Sequence, residues 1–164
     1  IGKAVAQRAH YGLGMEILYA GRTPDPLLAP EICAEMLPLE EVLKQSDFVT
    51  LHCPSTPQTY HLIDEAAFEL MQPHAHLINT ARGNVVNEKA LVNAVESGEI
   101  AGAGLDVYEN EPEVASGLIG LEQVVLLPHM GSGTVETREA MGFCALRNVE
   151  AFVTGQSLIN PVTG

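Results

Sequence analysis

The sequence predicts an α/β fold built on a doubly wound parallel sheet with helices on both faces. Short apolar runs typical of strands alternate along the chain with segments of helical periodicity, which is the pattern of successive βαβ units. The sequence has no internal repeat, which argues against solenoids and propellers. At 164 residues, it has the length of one domain with a single hydrophobic core.

The elements are predicted from apolar spacing and from the residues that interrupt it. Residues 1–11 have helical spacing, and Gly12 and Gly14 suit the end of that helix. A strand at residues 15–19 follows, and a loop is marked by its breakers, which are Gly21, Pro24 and Pro26. The later helices are predicted at residues 38–45, 64–71, 87–97 and 134–153, and the later strands at residues 48–51, 76–79, 100–107 and 124–127.

Three of these elements carry more specific signals. Asn87 is a good N-cap for the helix that ends at Gly98. The continuous apolar run at residues 124–127 is typical of a strand buried on both faces. The helix at residues 134–153 is long and is stopped by Gly155 and then by Pro161.

Charge and cysteine content exclude several classes of protein. There are 21 acidic and 8 basic residues, which give a formal net charge of −13, so nucleic acid and anionic membranes are poor partners. The longest apolar run is shorter than the ~18 residues of a membrane span. Three cysteines without metal-finger or redox spacing predict a reduced, cytoplasmic chain and no metal site.

Polar residues follow each predicted strand, where ligands bind in open parallel sheets. They are Gly21 and Arg22, then His52, Cys53 and Pro54, then Thr80, Ala81 and Arg82, then Asp106 and Glu111, and finally His129. An arginine, two acids and a histidine at successive strand ends are difficult to explain by packing alone. We therefore expect them to converge on one crevice.

Four segments resemble the signatures of the D-2-hydroxyacid dehydrogenase family. They are SDFVTLHCPSTPQTYHLI, HLINTARGNVVN, GLDVYENEP and LLPHMG, in the family's order and spacing. The resemblance implies a Rossmann-type nucleotide-binding domain, in which a nicotinamide cofactor meets a 2-oxo or 2-hydroxy acid between two domains.

The resemblance assigns catalytic roles to Arg82, Glu111 and His129. Arg82 would hold the substrate carboxylate and polarise the carbonyl, for which a planar guanidinium is suited. His129 would be the acid/base, and Glu111 the carboxylate paired with it. Glu109 is the competing acid, but Glu111 directly precedes a proline, as in the family motif. The other histidines, His10, His61, His74 and His76, have no motif around them and are assigned to structure or solvent.

The resemblance also identifies cofactor-binding residues. Gly2 matches the third glycine of G-x-G-x-x-G, which lets a helix and a strand pack closely. Asp106 would accept a hydrogen bond from the nicotinamide carboxamide. The other expected cofactor contacts are Pro54, Thr80 and Gly131, together with Arg22 and Thr23.

Arg22 and Thr23 decide the predicted cofactor. Enzymes that use NAD usually have an acid at the end of the second strand to bind the ribose 2′-hydroxyl. This chain has Ala20 and Gly21 there, followed by Arg22 and Thr23, which suit a 2′-phosphate. The sequence therefore favours NADP(H), with NAD(H) as the alternative.

The resemblance further predicts what surrounds the chain. Residues 1–154 would be the nucleotide-binding domain without its first strand, and residues 155–164 would lead towards a substrate domain. The full-length protein is expected to be a homodimeric reductase of glyoxylate or hydroxypyruvate, whereas the chain alone is expected to be inactive. Two alternatives are a dinucleotide-sensing protein of the corepressor type, which shares the fold, and a structural fragment without its own function.

Overall fold

The computed structural model describes residues 1–25 and 31–162, so Pro26 of the predicted loop lies outside the described residues. The chain forms two compact units, Ile1–Pro128 and His129–Gly164. The helices of the first unit are α1 (Gly2–Leu13), α2 (Leu39–Gln45), α3 (Glu65–Leu70), α4 (Glu88–Ser97) and α5 (Ser116–Ile119). Its strands are β1 (Leu18–Tyr19), β2 (Glu35–Met36), β3 (Phe48–Leu51), β4 (His76–Asn79), β5 (Gly102–Leu105) and β6 (Val124–Leu126). The second unit contains α6 (Val135–Val153).

Strands β3 to β6 form a parallel sheet in sequential order, and β1 pairs in parallel with β2 in a separate ladder. The last residues of the four longer strands lie side by side, because Leu51 pairs with Asn79, Asn79 with Leu105, and Leu105 with Leu126. The loops that follow these strands therefore leave from one edge of the sheet. The predicted α/β class with a parallel sheet is confirmed.

The hydrophobic core lies between one face of this sheet and the helices α3 and α4. Side chains alternate along each strand, so Val49 and Leu51 of β3 point into the core while Phe48 is 53% exposed. Phe68 of α3 and Leu91 of α4 are fully buried in the same core. This core fixes the strand ends on which the candidate site depends.

The boundaries of α1 and α4 follow the predicted capping residues. Gly14 ends α1 in the left-handed conformation, with φ of 67°. Asn87 caps α4 by accepting a hydrogen bond from the Ala90 N–H at 3.1 Å, and Gly98 ends that helix. Thr134 caps α6 in the same way, by accepting from the Thr137 N–H at 3.2 Å.

Three strand predictions need correction. Only residues 18–19 of the predicted strand at 15–19 are extended in a ladder, and only residues 102–105 of that at 100–107. Apolar composition predicts the strand, but its paired length is set by the partner, since β2 offers two paired residues to β1 and β4 offers four to β5. The expected burial of residues 124–127 on both faces is also wrong. Val125 is 61% exposed, because β6 is an edge strand whose alternate side chains face away from the core.

The second unit consists mainly of α6, which has apolar side chains around much of its surface. Phe143, Leu146 and Phe152 are each more than 60% exposed. Among the described residues, no helix is long and apolar enough to cross a membrane. The assignment of α6 to the nucleotide-binding domain stays a prediction.

Candidate active site

A cleft of about 480 Å³ opens at the carboxyl ends of β3 and β4. It is lined by Ile1, His52, Cys53, Pro54, Ser55, Thr80, Ala81 and Arg82. The residues expected after β3 and β4, among them Pro54, Thr80 and Arg82, line this cleft together, whereas Asp106 and Glu111, which were expected in the same crevice, do not line it. Ser55 is a lining residue that the sequence analysis did not name, although it stands beside Pro54 in the loop after β3.

Asn79 organises the loop that carries Arg82. Its side chain is 1% exposed, donates from Nδ2 to the Arg82 carbonyl at 3.0 Å, and accepts at Oδ1 from the Ala81 N–H at 3.0 Å. The Arg82 guanidinium is exposed and donates to the Ala81 carbonyl at 2.6 Å. The last residue of β4 thus fixes the backbone of the arginine, and its position in the sequence N-T-A-R is the signal that could have identified it.

Gly83 brings this loop against the loop after β5. A methyl group built on Gly83 would overlap the backbone carbonyl of Tyr108, so only glycine permits this approach. Tyr108 is itself buried and donates from its hydroxyl to the Leu127 carbonyl at 2.7 Å. Burial raises the pKa of the Tyr108 hydroxyl, and the carboxylates of Asp106, Glu88 and Glu111 act in the same direction.

The two acids predicted after β5 lie on either side of Tyr108. Asp106 is 6% exposed, and its N–H donates to the Asn79 carbonyl at 3.0 Å. Glu111 is exposed, and its Oε1 accepts from the Tyr108 N–H at 3.1 Å. The peptide bond between Glu111 and Pro112 is cis. The hydrogen bond from the Tyr108 N–H folds the Glu111 carboxylate back onto its own loop.

His52 and Gly2 bring the start of α1 next to the cleft. An added Cβ on Gly2 would lie 3.1 Å from the Cβ of His52, the residue that follows β3. The backbone of Gly2 therefore lies close to this side chain, and its predicted role in binding the cofactor stays a prediction. Burial lowers the pKa of His52. Burial also raises the pKa of the Cys53 thiol. Both side chains therefore favour their uncharged forms.

Arg22 and Thr23 are exposed in the loop that follows β1. The nearest acid along this loop is Asp25, whose backbone N–H donates to the Tyr19 hydroxyl at 3.1 Å. Its carboxylate lies 3.9 Å from the Lys3 ammonium. The loop therefore presents one arginine and one hydroxyl to solvent at the carboxyl end of β1.

His129 and Gly131 belong to the second unit, where both are exposed. His129 directly follows Pro128 and has a left-handed backbone, with φ of 51°. This conformation is uncommon for a residue other than glycine and is enriched at functional sites.

Within residues 1–131, the sequence matches the family described as D-isomer specific 2-hydroxyacid dehydrogenase, NAD binding domain. The match covers most of the 164 residues. The chain belongs to the D-isomer-specific 2-hydroxyacid dehydrogenase family.

Individual members of this dehydrogenase family are similar over nearly the whole chain. The glyoxylate reductase of Thermococcus onnurineus is 51% identical over 156 residues, which are 95% of this chain and 46% of the relative. The NADPH-dependent glyoxylate/hydroxypyruvate reductase of Sinorhizobium meliloti, solved with NADP and malonate, has 36% identity and a TM-score of 0.92, over 99% of this chain and 50% of that one. The apo D-mandelate dehydrogenase of Rhodotorula graminis has 38% identity and a TM-score of 0.92, over 99% and 48%. The chain thus spans about half the length of the relatives that it matches.

These likenesses confirm the Rossmann-type fold of the dehydrogenase domain. They leave open the roles of the individual site residues, which stay predictions. Among residues 1–25 and 31–162, no cluster of three or more histidine, cysteine or acidic side chains has the arrangement of a metal site.

Proposed function

We propose that the full-length protein is an NADP(H)-dependent reductase of a small 2-oxo acid, either glyoxylate or hydroxypyruvate. The product is the 2-hydroxy acid, of D configuration where it is chiral. The observation that carries the proposal is the cleft at the carboxyl ends of β3 and β4, which Arg82 lines. The 51% identity to a glyoxylate reductase supports the choice of substrate.

Arg82 is the proposed substrate-binding residue. Its guanidinium offers a planar fork of donors that fits a carboxylate and polarises the adjacent carbonyl oxygen. The backbone of Arg82 is held by Asn79, and Gly83 is packed on Tyr108, so the side chain extends from a fixed base. Fixed placement of the charge lowers the cost of reorganisation as negative charge develops on the substrate oxygen.

His129 is the proposed acid/base, and Glu111 is its partner. In reduction, the imidazolium gives its proton to the carbonyl oxygen, which becomes the hydroxyl of the product. A carboxylate beside the ring stabilises the charged form and orients it. In the reverse direction, the neutral ring takes the proton from the hydroxyl.

The donor set of the cleft suits a nicotinamide dinucleotide. The volume of the cleft is in the range of small-molecule sites. The cleft is lined by residues that can form hydrogen bonds, among them Thr80, Ser55 and His52. We propose that Gly2, Pro54, Thr80, Asp106 and Gly131 hold the cofactor. When bound, the reduced cofactor supplies the hydride to the carbonyl carbon.

The proposed preference for the phosphorylated cofactor rests on the loop after β1. Arg22 and Thr23 are exposed there, and the carboxylate of Asp25 has the Lys3 ammonium 3.9 Å away. A 2′-phosphate would gain a charge-assisted hydrogen bond from Arg22 and would meet no acid directly after β1. The three cysteines are free, which suits the cytoplasmic location that we propose, and we further propose a homodimer.

Replacement of Arg82 in the full-length protein tests this proposal. We expect Arg82→Ala to raise KM for the 2-oxo acid and to lower kcat, because one guanidinium both binds the carboxylate and polarises the carbonyl. Arg82→Lys keeps the charge without the planar fork and should restore only part of the activity. Unchanged kcat/KM in Arg82→Ala would refute the assignment.

A further inference from the structure

Three side chains that the proposed mechanism does not use lie together behind the loop of Glu111. They are His61, Glu88 and Glu109, and we refer to them as the clasp. We propose that the clasp is a set of positioning residues that holds the loop of Glu111 in place relative to the loop of Arg82. The inference rests on the proposed function, since it assumes that Glu111 and Arg82 act in catalysis.

The clasp is closed by two reciprocal hydrogen bonds. The Glu109 N–H donates to Glu88 Oε1 at 2.8 Å, and the Glu88 N–H donates to Glu109 Oε1 at 3.0 Å. Each glutamate therefore binds the backbone of the other with its carboxylate. Hydrogen bonds to a charged acceptor are stronger than neutral ones, so this link resists separation of the two segments.

One side of the clasp is anchored in the most buried helix of the first unit. Glu88 is the first residue of α4, it is 7% exposed, and Ala90, Leu91, Ala94 and Val95 of the same helix are also buried. The first N–H groups of a helix lack partners within the helix, and negative charge is favourable there. Asn87 caps the Ala90 N–H, and Glu109 caps the Glu88 N–H. The Glu109 loop is thus attached to a rigid element.

His61 connects the clasp to the Arg82 loop. Its backbone N–H donates to the Asn84 carbonyl at 2.9 Å, two residues beyond Arg82. Its Nε2 lies 2.8 Å from Glu109 Oε1, although among the described residues no acceptor is in line with this nitrogen. The contact is therefore close, but it does not have the direction of a hydrogen bond. The ring also stacks on Tyr60, with centroids 4.0 Å apart.

The two carboxylates of the clasp lie close together in a poorly solvated part of the protein. Burial raises the pKa of Glu88, the neighbouring Glu109 carboxylate acts in the same direction, and the hydrogen bond from the Glu109 N–H opposes both. The His61 ring contacts the second of these carboxylates, that of Glu109. His61 adopts a left-handed backbone to reach this position, with φ of 48°.

Tyr108 connects the clasp to the proposed catalytic residues. The Tyr108 N–H donates to the Glu111 carboxylate, and the next N–H along the chain, that of Glu109, donates to the Glu88 carboxylate. The backbone of Tyr108 is in turn packed against Gly83, next to Arg82. A shift of Glu109 would therefore shift the peptide that binds Glu111 and the surface on which the Arg82 loop rests.

The test compares Glu88→Ala with Glu88→Gln in the full-length protein. Alanine removes the acceptor for the Glu109 N–H, whereas glutamine keeps an oxygen in its place. We expect Glu88→Ala to lower kcat about ten- to a hundredfold, as a displacement of about 1 Å does, with KM for the 2-oxo acid within about twofold of its original value. Glu88→Gln should restore kcat. His61→Asn should also lower kcat, since asparagine tolerates the left-handed backbone but lacks the ring that contacts Glu109.

Asp64→Ala is the matched control for loss of stability. Asp64 caps α3 by accepting from the Ala67 N–H at 3.0 Å, and it is outside both catalytic loops. Like Glu88→Ala, it should lower the melting temperature, but kcat should stay the same. The proposal is overturned if Glu88→Ala behaves like this control, or if Glu88→Gln is as slow as Glu88→Ala.

Hydrogen exchange separates a failure of the clasp from a failure of the proposed function. In Glu88→Ala, the amides of residues 107–111 should exchange faster than in the unmutated protein, and in Asp64→Ala they should not. If the unmutated protein reduces no 2-oxo acid, the proposed function has failed, and exchange alone then decides whether the clasp holds the loop. Unaltered exchange in Glu88→Ala would overturn the clasp in either case.

Discussion

Arg22 is the residue that the choice of cofactor depends on most. We expect the full-length protein to have a higher kcat/KM with NADPH than with NADH. Arg22→Ala should reduce this preference by about one to three kcal/mol, the contribution of a hydrogen bond to a charged group. Equal kcat/KM values with the two cofactors in the unmutated protein would show that the loop after β1 does not recognise a 2′-phosphate.

Glu111 should determine the pH at which reduction slows. In the proposed mechanism, reduction needs the protonated ring of His129, so its rate should fall as pH rises, whereas the rate of oxidation of the 2-hydroxy acid should rise. An ionised Glu111 favours the charged ring, and Glu111→Gln removes that charge. The falling limb of reduction should then move to lower pH. If the falling limb of reduction stays at the same pH in Glu111→Gln while the chemical step limits the rate, the pairing of Glu111 with His129 is contradicted.

Cys53 provides a chemical probe of the cleft. Burial raises the pKa of this thiol, so little thiolate is present at neutral pH and alkylation should be slow. Its rate should rise with pH, and bound cofactor should slow it because Cys53 lines the cleft. Cys33 is exposed outside the cleft and serves as the internal control. Alkylation of Cys53 at the same rate with and without cofactor would place the dinucleotide elsewhere.

At the scale of elements, the pairing of β5 with β6 depends on a glycine. A methyl group built on Gly102 would overlap the Gln123 carbonyl just before β6. Gly102→Ala should therefore lower the free energy of unfolding by about 1–3 kcal/mol, the usual cost of overpacking. Gly12 lies inside α1 with no atom within 4 Å of an added Cβ, so Gly12→Ala should instead raise it by about 0.5–1 kcal/mol. Denaturant unfolding of both variants tests this contrast, and equal changes would contradict it.

The elements that the sequence predicted well are those with local signals. Asn87 and Gly98 mark the two ends of α4 through their own side-chain and backbone chemistry, and they act as its cap and terminator in the structure. Strand β2 was not predicted, because two residues are too few to show an alternating pattern. The structure defines it by its pairing with β1. The exposure of Val125 was also missed, since burial depends on what covers each face and not on composition.

The same distinction applies to the candidate site. The cleft at the strand ends, with Pro54, Thr80 and Arg82, follows from the rule that parallel strands end at one edge. Asn79 and the clasp were not predicted because their roles are contacts between segments distant in sequence, such as Glu88 with Glu109. Candidate catalytic residues are therefore easier to recognise in a sequence than the residues that position them.

At the scale of the molecule, residues 1–164 alone should not catalyse reduction. The ladder of β1 and β2 and the sheet of β3 to β6 are separate among the described residues, and the predicted first strand is not part of this polypeptide. Two glycines of the predicted phosphate-binding motif and the predicted substrate domain would also be absent, so the pyrophosphate and the substrate would each lack contacts. Measurable NADPH-dependent reduction of glyoxylate by this polypeptide would contradict the account.

The most direct test of the central claim is turnover by the full-length protein. Initial rates should be measured with NADPH and NADH against glyoxylate, hydroxypyruvate, pyruvate and a bulky aromatic 2-oxo acid. The account predicts the highest kcat/KM for glyoxylate or hydroxypyruvate with NADPH, and loss of that activity in Arg82→Ala. Tight binding of a dinucleotide without turnover of any of these acids would contradict it, and would favour a dinucleotide-sensing protein of the same fold.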